Sequence, residues 1–378
     1  MFRILTAGES HGKGLVGIME GFPANVPIDE ERINQDLKRR QQGYGRGGRM
    51  KIEKDKIQFL TGLRGGKTLG SPLSFLIENK DYANWEAVMD PRRVEEGLKK
   101  VTQPRPGHGD LTGALKYGFS DIRNVLERSS ARETATRAAI GSIAAQLAAL
   151  FNIEAHSHVT AIGKASLKRP VEELSRVKAA DDSPVRCCDP GTEAEMIHCI
   201  DQAKEAGDSL GGIFEIHITG VPPGLGSYMQ WDRKLDAKLS HALMSIQAIK
   251  GVEIGYGFEN AQRSGSRVHD EIYYDQDRGY HRGTNHAGGI EGGMSNGKNI
   301  ILRCAMKPIP TLYKPLKTVD IETKEEVLAT VERSDTCAVP AASVVGEMVA
   351  ITVIAQEFLT KFPGDSLEEI TKRWKNYG

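Results

Sequence analysis

Gly8-Glu9-Ser10-His11-Gly12 puts a serine and a histidine into one tight loop near the start of the chain. Histidine titrates close to neutral pH, so such a loop suits proton transfer, and it suits an ordinary surface position equally. A serine nucleophile is the weaker reading, since His11 follows the serine directly. Arginines recur further on. Arg39, Arg40, Arg46 and Arg49 bracket Gly43-Tyr44-Gly45-Arg46-Gly47-Gly48. That run has the form G-x-G-x-x-G, but it follows a helical pattern where a dinucleotide site needs a strand. Guanidinium forks on a glycine-rich loop fit a phosphate, or else form a solvated basic loop.

Arg105-Pro106-Gly107-His108-Gly109-Asp110 is a rigid turn that presents Arg105 and His108. Glu127-Arg128-Ser129-Ser130-Ala131-Arg132-Glu133 leads into a helical stretch, where serines and backbone N–H groups suit an anion or simply cap the helix. Arg128, Arg132 and Arg137 oppose the dipole at that end unless a negative group sits there. Asp335, within Arg333-Ser334-Asp335-Thr336-Cys337, is a general base or a salt-bridge partner. Lys307-Pro308-Ile309-Pro310-Thr311 is too rich in proline for a regular element and offers one cation.

These loops need a frame. Residues 2–7 and 14–20 read as strands flanking the histidine loop, and Asp29 caps a helix over 30–41. Residues 57–60 and 73–77 read as strands, Pro91 opens a helix over 92–100, and 103–110 is turn-rich. The strongest helical spacing covers 130–150. A strand at 155–162, a surface excursion over 164–190, a helix over 191–206, a strand over 211–221 and a helix over 232–246 follow. The last third holds a strand at 298–306, a helix near 323–331 and a long helix over 341–359. Strand, Gly-x-Pro turn and helix occur twice, through Gly21-Phe22-Pro23 and Gly220-Val221-Pro222, and 63–77 echoes 288–305. Two related α+β halves, roughly 1–160 and 191–360, explain this; coincidence between common units does so too.

Composition limits the function classes. Fifty basic and fifty acidic residues cancel, which argues against a nucleic-acid binder working through bulk charge. Five cysteines without a C-x-x-C pair argue against a disulfide framework and a structural zinc site, so no metal is expected. No long apolar run marks a leader or a membrane span, and a soluble cytoplasmic chain is the expectation. Glycine is abundant, 41 of 378 residues, and clusters between structured segments, as turns or ligand cradles require.

In this order the motifs resemble chorismate synthases over roughly residues 1–360. The histidine loop running to Gly21-Phe22-Pro23, the Glu127–Arg132 segment and Arg333 to Cys337 carry the similarity. It implies one large α+β domain over 1–378, a β-α-β sandwich with internal pseudo-symmetry, assembled as a homotetramer. It also implies a lyase that removes phosphate from 5-enolpyruvylshikimate 3-phosphate by anti-1,4-elimination, the last common step of aromatic amino acid biosynthesis, with reduced FMN. By motif, His11, His108 and Asp335 are catalytic, and Ser10, Arg40, Arg46, Arg49, Arg105 and Arg132 bind substrate. Arg128, Ser129, Ser130, Gln247, Ala248, Gly292, Lys307, Pro308, Ile309, Pro310, Thr311 and Arg333 would contact FMN. Arg40 and Arg46 are also where the family places NADP, with NADPH as an indirect reductant and an external flavin reductase as partner. Gly109 and Ser334 depart from the alanine and histidine common in the family, so a role given to that histidine does not transfer. Two other classes remain: an RNA- or anion-binding protein using the arginine loops, and a flavin reductase.

Overall fold

The computed structural model describes residues 2–48, 53–95, 97–171, 173–332 and 334–377. In the N-terminal half, β1 (Arg3–Ala7) and β2 (Gly14–Glu20) lead to α1 (Glu30–Gln41), β3 (Ile57–Thr61), the hairpin β4 (Leu63–Arg64) and β5 (Lys67–Thr68), and β6 (Leu73–Glu78). Asp29 starts α1 as expected, its Oδ1 accepting from the N–H groups of Glu31 and Arg32. α2 (Asp110–Tyr117), α3 (Arg123–Ser129) and α4 (Thr134–Ala149) complete this half.

The C-terminal half runs β7 (Glu154–Ile162), β8 (Ala165–Ser166), α5 (Leu174–Ala179), α6 (Pro190–Glu205) and β9 (Gly212–Thr219). It continues through α7 (Leu235–Met244), β10 (Ile249–Ile254), α8 (Gly257–Asn260), β11 (Ile272–Asp275) and β12 (Gly279–Arg282). The hairpin β13 (Ile290–Glu291) and β14 (Met294–Ser295), then β15 (Ile300–Met306), β16 (Lys317–Val319) and β17 (Glu326–Leu328) precede α9 (Val339–Lys361) and α10 (Leu367–Lys375).

The first sheet has strand order β1-β2-β6-β3 and the second β10-β15-β9-β7-β8. Reading β7, β9, β15 and β10 against β1, β2, β6 and β3 matches the two sheets strand for strand, with α1 and α7 in equivalent connections. The correspondence reaches single hydrogen bonds. Thr68 Oγ1 donates to Pro23 O at 2.6 Å and accepts from Val26 N–H at 2.9 Å. Ser295 Oγ donates to Pro222 O at 2.6 Å and accepts from Leu225 N–H at 2.8 Å. Gly21 and Gly220, which begin the paired turns, sit at φ 74° and 73°, where a side chain is disfavoured.

Helices fill the space between the sheets: α4 packs on β2, α9 on β7 and β9, and α4 against α9. Phe75, Phe214 and Phe358 are among the fully buried side chains of this core. α9 is long and apolar enough to cross a membrane, but it is almost wholly buried inside the molecule.

Two expected helices are absent among the described residues. Over 92–100, Gly97 and Lys99 hold φ 77° and 49°, and turns replace the helix. Near 323–331, Asp320 Oδ1 accepts from the N–H groups of Glu322 and Thr323, and Lys324 is left-handed. That turn sends the chain back as β17 against β16. α2 and α3 were not anticipated. The 164–190 segment carries α5 and buries Val177, Val185 and Cys187.

Candidate functional site

A cavity of about 390 Å³ opens where the loops of both halves meet the start of α9. Arg40, Arg46, Arg105, His108, Ser129, Ser130 and Arg132 line it from the N-terminal half. Gln247, Ala248, Lys307, Ile309, Pro310, Thr311 and Asp335 line it from the C-terminal half. Segments separated by up to roughly 300 residues therefore share one wall, as the motifs anticipated.

The guanidinium groups are held by buried acids. Arg132 Nη1 meets both oxygens of Asp55, at 2.7 and 2.8 Å, and its Nε donates to Asn79 Oδ1. Arg40 donates to Thr134 Oγ1 and the Ala131 carbonyl and lies 3.5 Å from Asp55. Burial pushes the Arg40 guanidinium down to about 10; Asp55 opposes this, while Arg132 and Arg46 reinforce it. Arg46 Nη1 pairs with Asp335 Oδ2 at 2.8 Å, and Gly47 N–H donates to Asp335 Oδ1 at 2.6 Å. Arg105 Nε donates to Asp110 Oδ2 at 2.8 Å, and its Nη1 to Thr311 Oγ1 at 2.8 Å. His108 Nδ1 meets Asp110 Oδ1 at 2.6 Å. Burial opposes ionisation of Asp110, but hydrogen bonds from His108 and Arg105 prevail and hold its carboxyl below the usual range.

His11 and Ser10 lie behind this wall, both buried. Glu127 accepts from the His11 backbone N–H at 2.8 Å and meets His11 Nδ1 at 2.9 Å. The Trp85 ring stacks on the imidazole at 3.9 Å. Asn79 links loop to wall: its Nδ2 donates to the Glu9 and Gly12 carbonyls while its Oδ1 receives Arg132. Arg128 donates to the carbonyls of Thr6 and Gly8, and Arg137 to those of Ala242 and Ser245. Arg128 thus serves backbone acceptors, whereas Arg137 also lies 3.8 Å from the Glu133 carboxylate, a negative group at the helix start as the sequence reading required. Arg128, Pro308 and Gly292 are not among the lining residues; Gly292 sits in the turn between β13 and β14. Arg49 and Arg333 lie outside the described residues.

The site residues read from the sequence do not include Asp55, Asn79, Trp85, Asp110 and Glu127. Both Glu127 and Asp110 stand inside the quoted motifs, but only Asp110, two residues from His108, carried a local signal; Glu127 is 116 residues from His11. Asp55 gave none, because its partner Arg132 is 77 residues away.

Two sheets around buried helices, opened at one end into a cavity walled by guanidinium groups, suit an enzyme acting on a small molecule. The comparisons are specific. The family profile described as chorismate synthase matches residues 2–359. A chorismate synthase of Alkaliphilus metalliredigens is 75% identical over 377 residues, covering 100% of this chain and 99% of that protein. One from Alkaliphilus oremlandii is 56% identical, covering 100% of this chain and 98% of its own length. A crystal structure of chorismate synthase matches with a TM-score of 0.81 at 44% identity, covering 100% of this chain and 97% of that one. The chain belongs to the chorismate synthase family, and its function is that of a chorismate synthase, a lyase.

Proposed function

We propose that the chain eliminates phosphate from 5-enolpyruvylshikimate 3-phosphate in the anti-1,4 sense, with reduced FMN as cofactor. One observation carries this reading: Arg40, Arg46, Arg105 and Arg132 converge on one cavity wall in a chain of zero formal net charge. Of the acids paired with these groups, Asp335 lines the cavity while Asp55, Glu53 and Asp110 do not, so a substrate bearing a phosphate and two carboxylates meets guanidinium donors there.

The wall also suits a flavin. Gln247 Oε1 and Arg132 Nη2 are buried without a hydrogen-bond partner among the described residues, although Arg132 Nη2 also lies 3.9 Å from Glu53 Oε2. Ala248 holds φ 67°, a strained conformation of the kind that persists at ligand sites. Ser129, Ser130, Gln247, Ala248, Lys307, Ile309, Pro310 and Thr311 would hold the cofactor, with Arg128, Pro308, Gly292 and Arg333 expected from the motif alone. When bound, reduced flavin lends electron density to the substrate, which eases loss of phosphate.

The protein's own groups move protons and bind charge. His11 donates its proton to the leaving phosphate, its Nδ1 side being engaged by Glu127. His108, anchored to Asp110, offers its ring to the flavin. Asp335 receives the C6 proton, its carboxylate held in place by Arg46 and Gly47 N–H. Ser10 and Arg49 belong to the substrate set by motif. Arg40 and Arg46 are the positions for NADPH. An external flavin reductase, a cytoplasmic setting and a homotetramer complete the reading.

Anaerobic assay with dithionite-reduced FMN tests it: chorismate absorbance should develop from the enolpyruvyl substrate. Absence of that signal from folded protein would overturn the proposal. Replacing dithionite by NADPH alone should give no turnover until a flavin reductase is added.

A further inference from the structure

β9 has two faces. Phe214, Ile216 and Ile218 enter the core with no exposed surface, so Glu215 and His217 project from the opposite side of the second sheet. That side is closed here as well: Glu215 is 5% exposed, His217 2%, and His158 of β7 0%. His158 and Glu215 face each other in the β7–β9 register, and His217 lies two residues further along the same face. Three chemically active side chains are thus positioned by paired strands and not by loops.

Their atoms converge. His158 Nε2 and His217 Nε2 lie 3.3 and 2.7 Å from the same oxygen, Glu215 Oε1. The donor atoms of the three residues all lie within 4.8 Å of one another. Glu215 Oε2 is 3.0 Å from Arg303 Nε, and Arg303 Nη1 reaches Glu253 Oε2 at 3.5 Å. With neutral imidazoles, two carboxylates against one guanidinium leave the cluster with one net negative charge. On the far side of the His158 ring, Nδ1 lies 3.4 Å from Cys188 Sγ. None of these residues lines the arginine cavity, and the elimination uses none of them.

We propose that His158, His217 and Glu215 bind a divalent transition-metal ion, with zinc the ion their donor set favours. Two imidazoles and one carboxylate form a set that zinc accepts at three positions, with water at the fourth. Bonds of about 2.0–2.2 Å in tetrahedral array separate ligand atoms by roughly 3.3 Å. His158 and Glu215 already stand at 3.3 Å, while His217, at 2.7 Å, has to draw back by a few tenths of an ångström. Each imidazole then uses its Nε2 lone pair for the metal and carries its proton on Nδ1. Nothing is oxidised or reduced. His158 Nδ1–H donates to Cys188 Sγ, the outer contact that commonly fixes the tautomer of a metal-bound histidine. Cys188 serves there and not as a ligand, because Nδ1 and Nε2 face opposite ways across the ring. So enclosed an ion ties β7 to β9 and stabilises the sheet.

The test uses the untagged full chain, stripped with a chelator and titrated with Co²⁺. One equivalent should bind with visible d–d absorption, be displaced by Zn²⁺, and Zn²⁺ should raise the melting temperature. His217→Ala should weaken Co²⁺ binding by at least about 10-fold, while His11→Ala should leave it unchanged. Should His217→Ala fail to fold, Glu215→Gln, which keeps shape and an acceptor, should show the same loss. No d–d absorption in the stripped parent chain, or absorption surviving in both Glu215→Gln and His217→Ala, overturns the proposal. In that event protons alone hold the three side chains together.

Discussion

Glu127 engages His11 through both its backbone and its ring, and Trp85 covers the imidazole, with Lys99 3.7 Å above the indole. Burial opposes a charged Glu127, yet the hydrogen bonds from His11 hold its carboxyl below the usual range, so it faces the ring as a carboxylate. The carboxylate and the indole fix the ring in one orientation, as a group that transfers a proton requires. His11→Ala should therefore lower turnover by about 10²–10⁴-fold while FMN affinity is kept. Glu127→Gln preserves the shape but removes the carboxylate that accepts from the His11 backbone N–H and meets its ring, so turnover should fall while flavin binding is kept. Rates from anaerobic assays, with flavin binding measured alongside, check both. Unchanged turnover in Glu127→Gln would mean that the acid merely packs against the loop.

The paired turns of the two halves make a prediction at the scale of elements. Thr68 and Ser295 each bridge a proline carbonyl and a backbone N–H at the same point of the two sheets, and both are buried. Thr68→Val and Ser295→Ala each strand a buried donor and acceptor, which costs about 1–3 kcal/mol. The urea midpoint should fall by similar amounts in the two variants if the halves are energetically as well as topologically alike. The layer between the sheets is equally intolerant: a Cβ added at Gly141 of α4 would lie 2.6 Å from the carbonyl carbon of Met348 in α9. Here backbone is packed against backbone, and sequence periodicity alone gave no sign of it.

Across the whole molecule, the first sheet presents an uncovered apolar face. Leu5 and Ile18 are register partners there, 68% and 37% exposed, next to Ala7, Val16 and Leu76. An apolar strip of this kind marks an association surface. Light scattering should give the mass of four chains, in keeping with the proposed homotetramer. Leu5→Lys combined with Ile18→Lys should shift that mass to a smaller assembly, since both positions lie on the outer face and leave the core intact. An unchanged mass would move the interface elsewhere on the surface.

Read alone, the chain disclosed whatever local spacing encodes. Asp29 as a cap, the Arg105–Asp110 turn and the long apolar helix near the C-terminus were all legible from neighbours within a few residues. The echo between Gly21-Phe22-Pro23 and Gly220-Val221-Pro222 was legible for the same reason. Local pattern failed at 92–100 and 323–331, where helix-forming residues meet left-handed positions that only the folded chain displays. It also left the role of the His11 loop open. The tertiary structure adds its surroundings, with His11 held between Glu127 and Trp85 and outside the lining of the arginine cavity. Asp55 with Arg132, and His158 with Glu215 and His217, depend on strand register and chain crossings over dozens of residues. No local propensity encodes such a distance; burial of the shared core selects it.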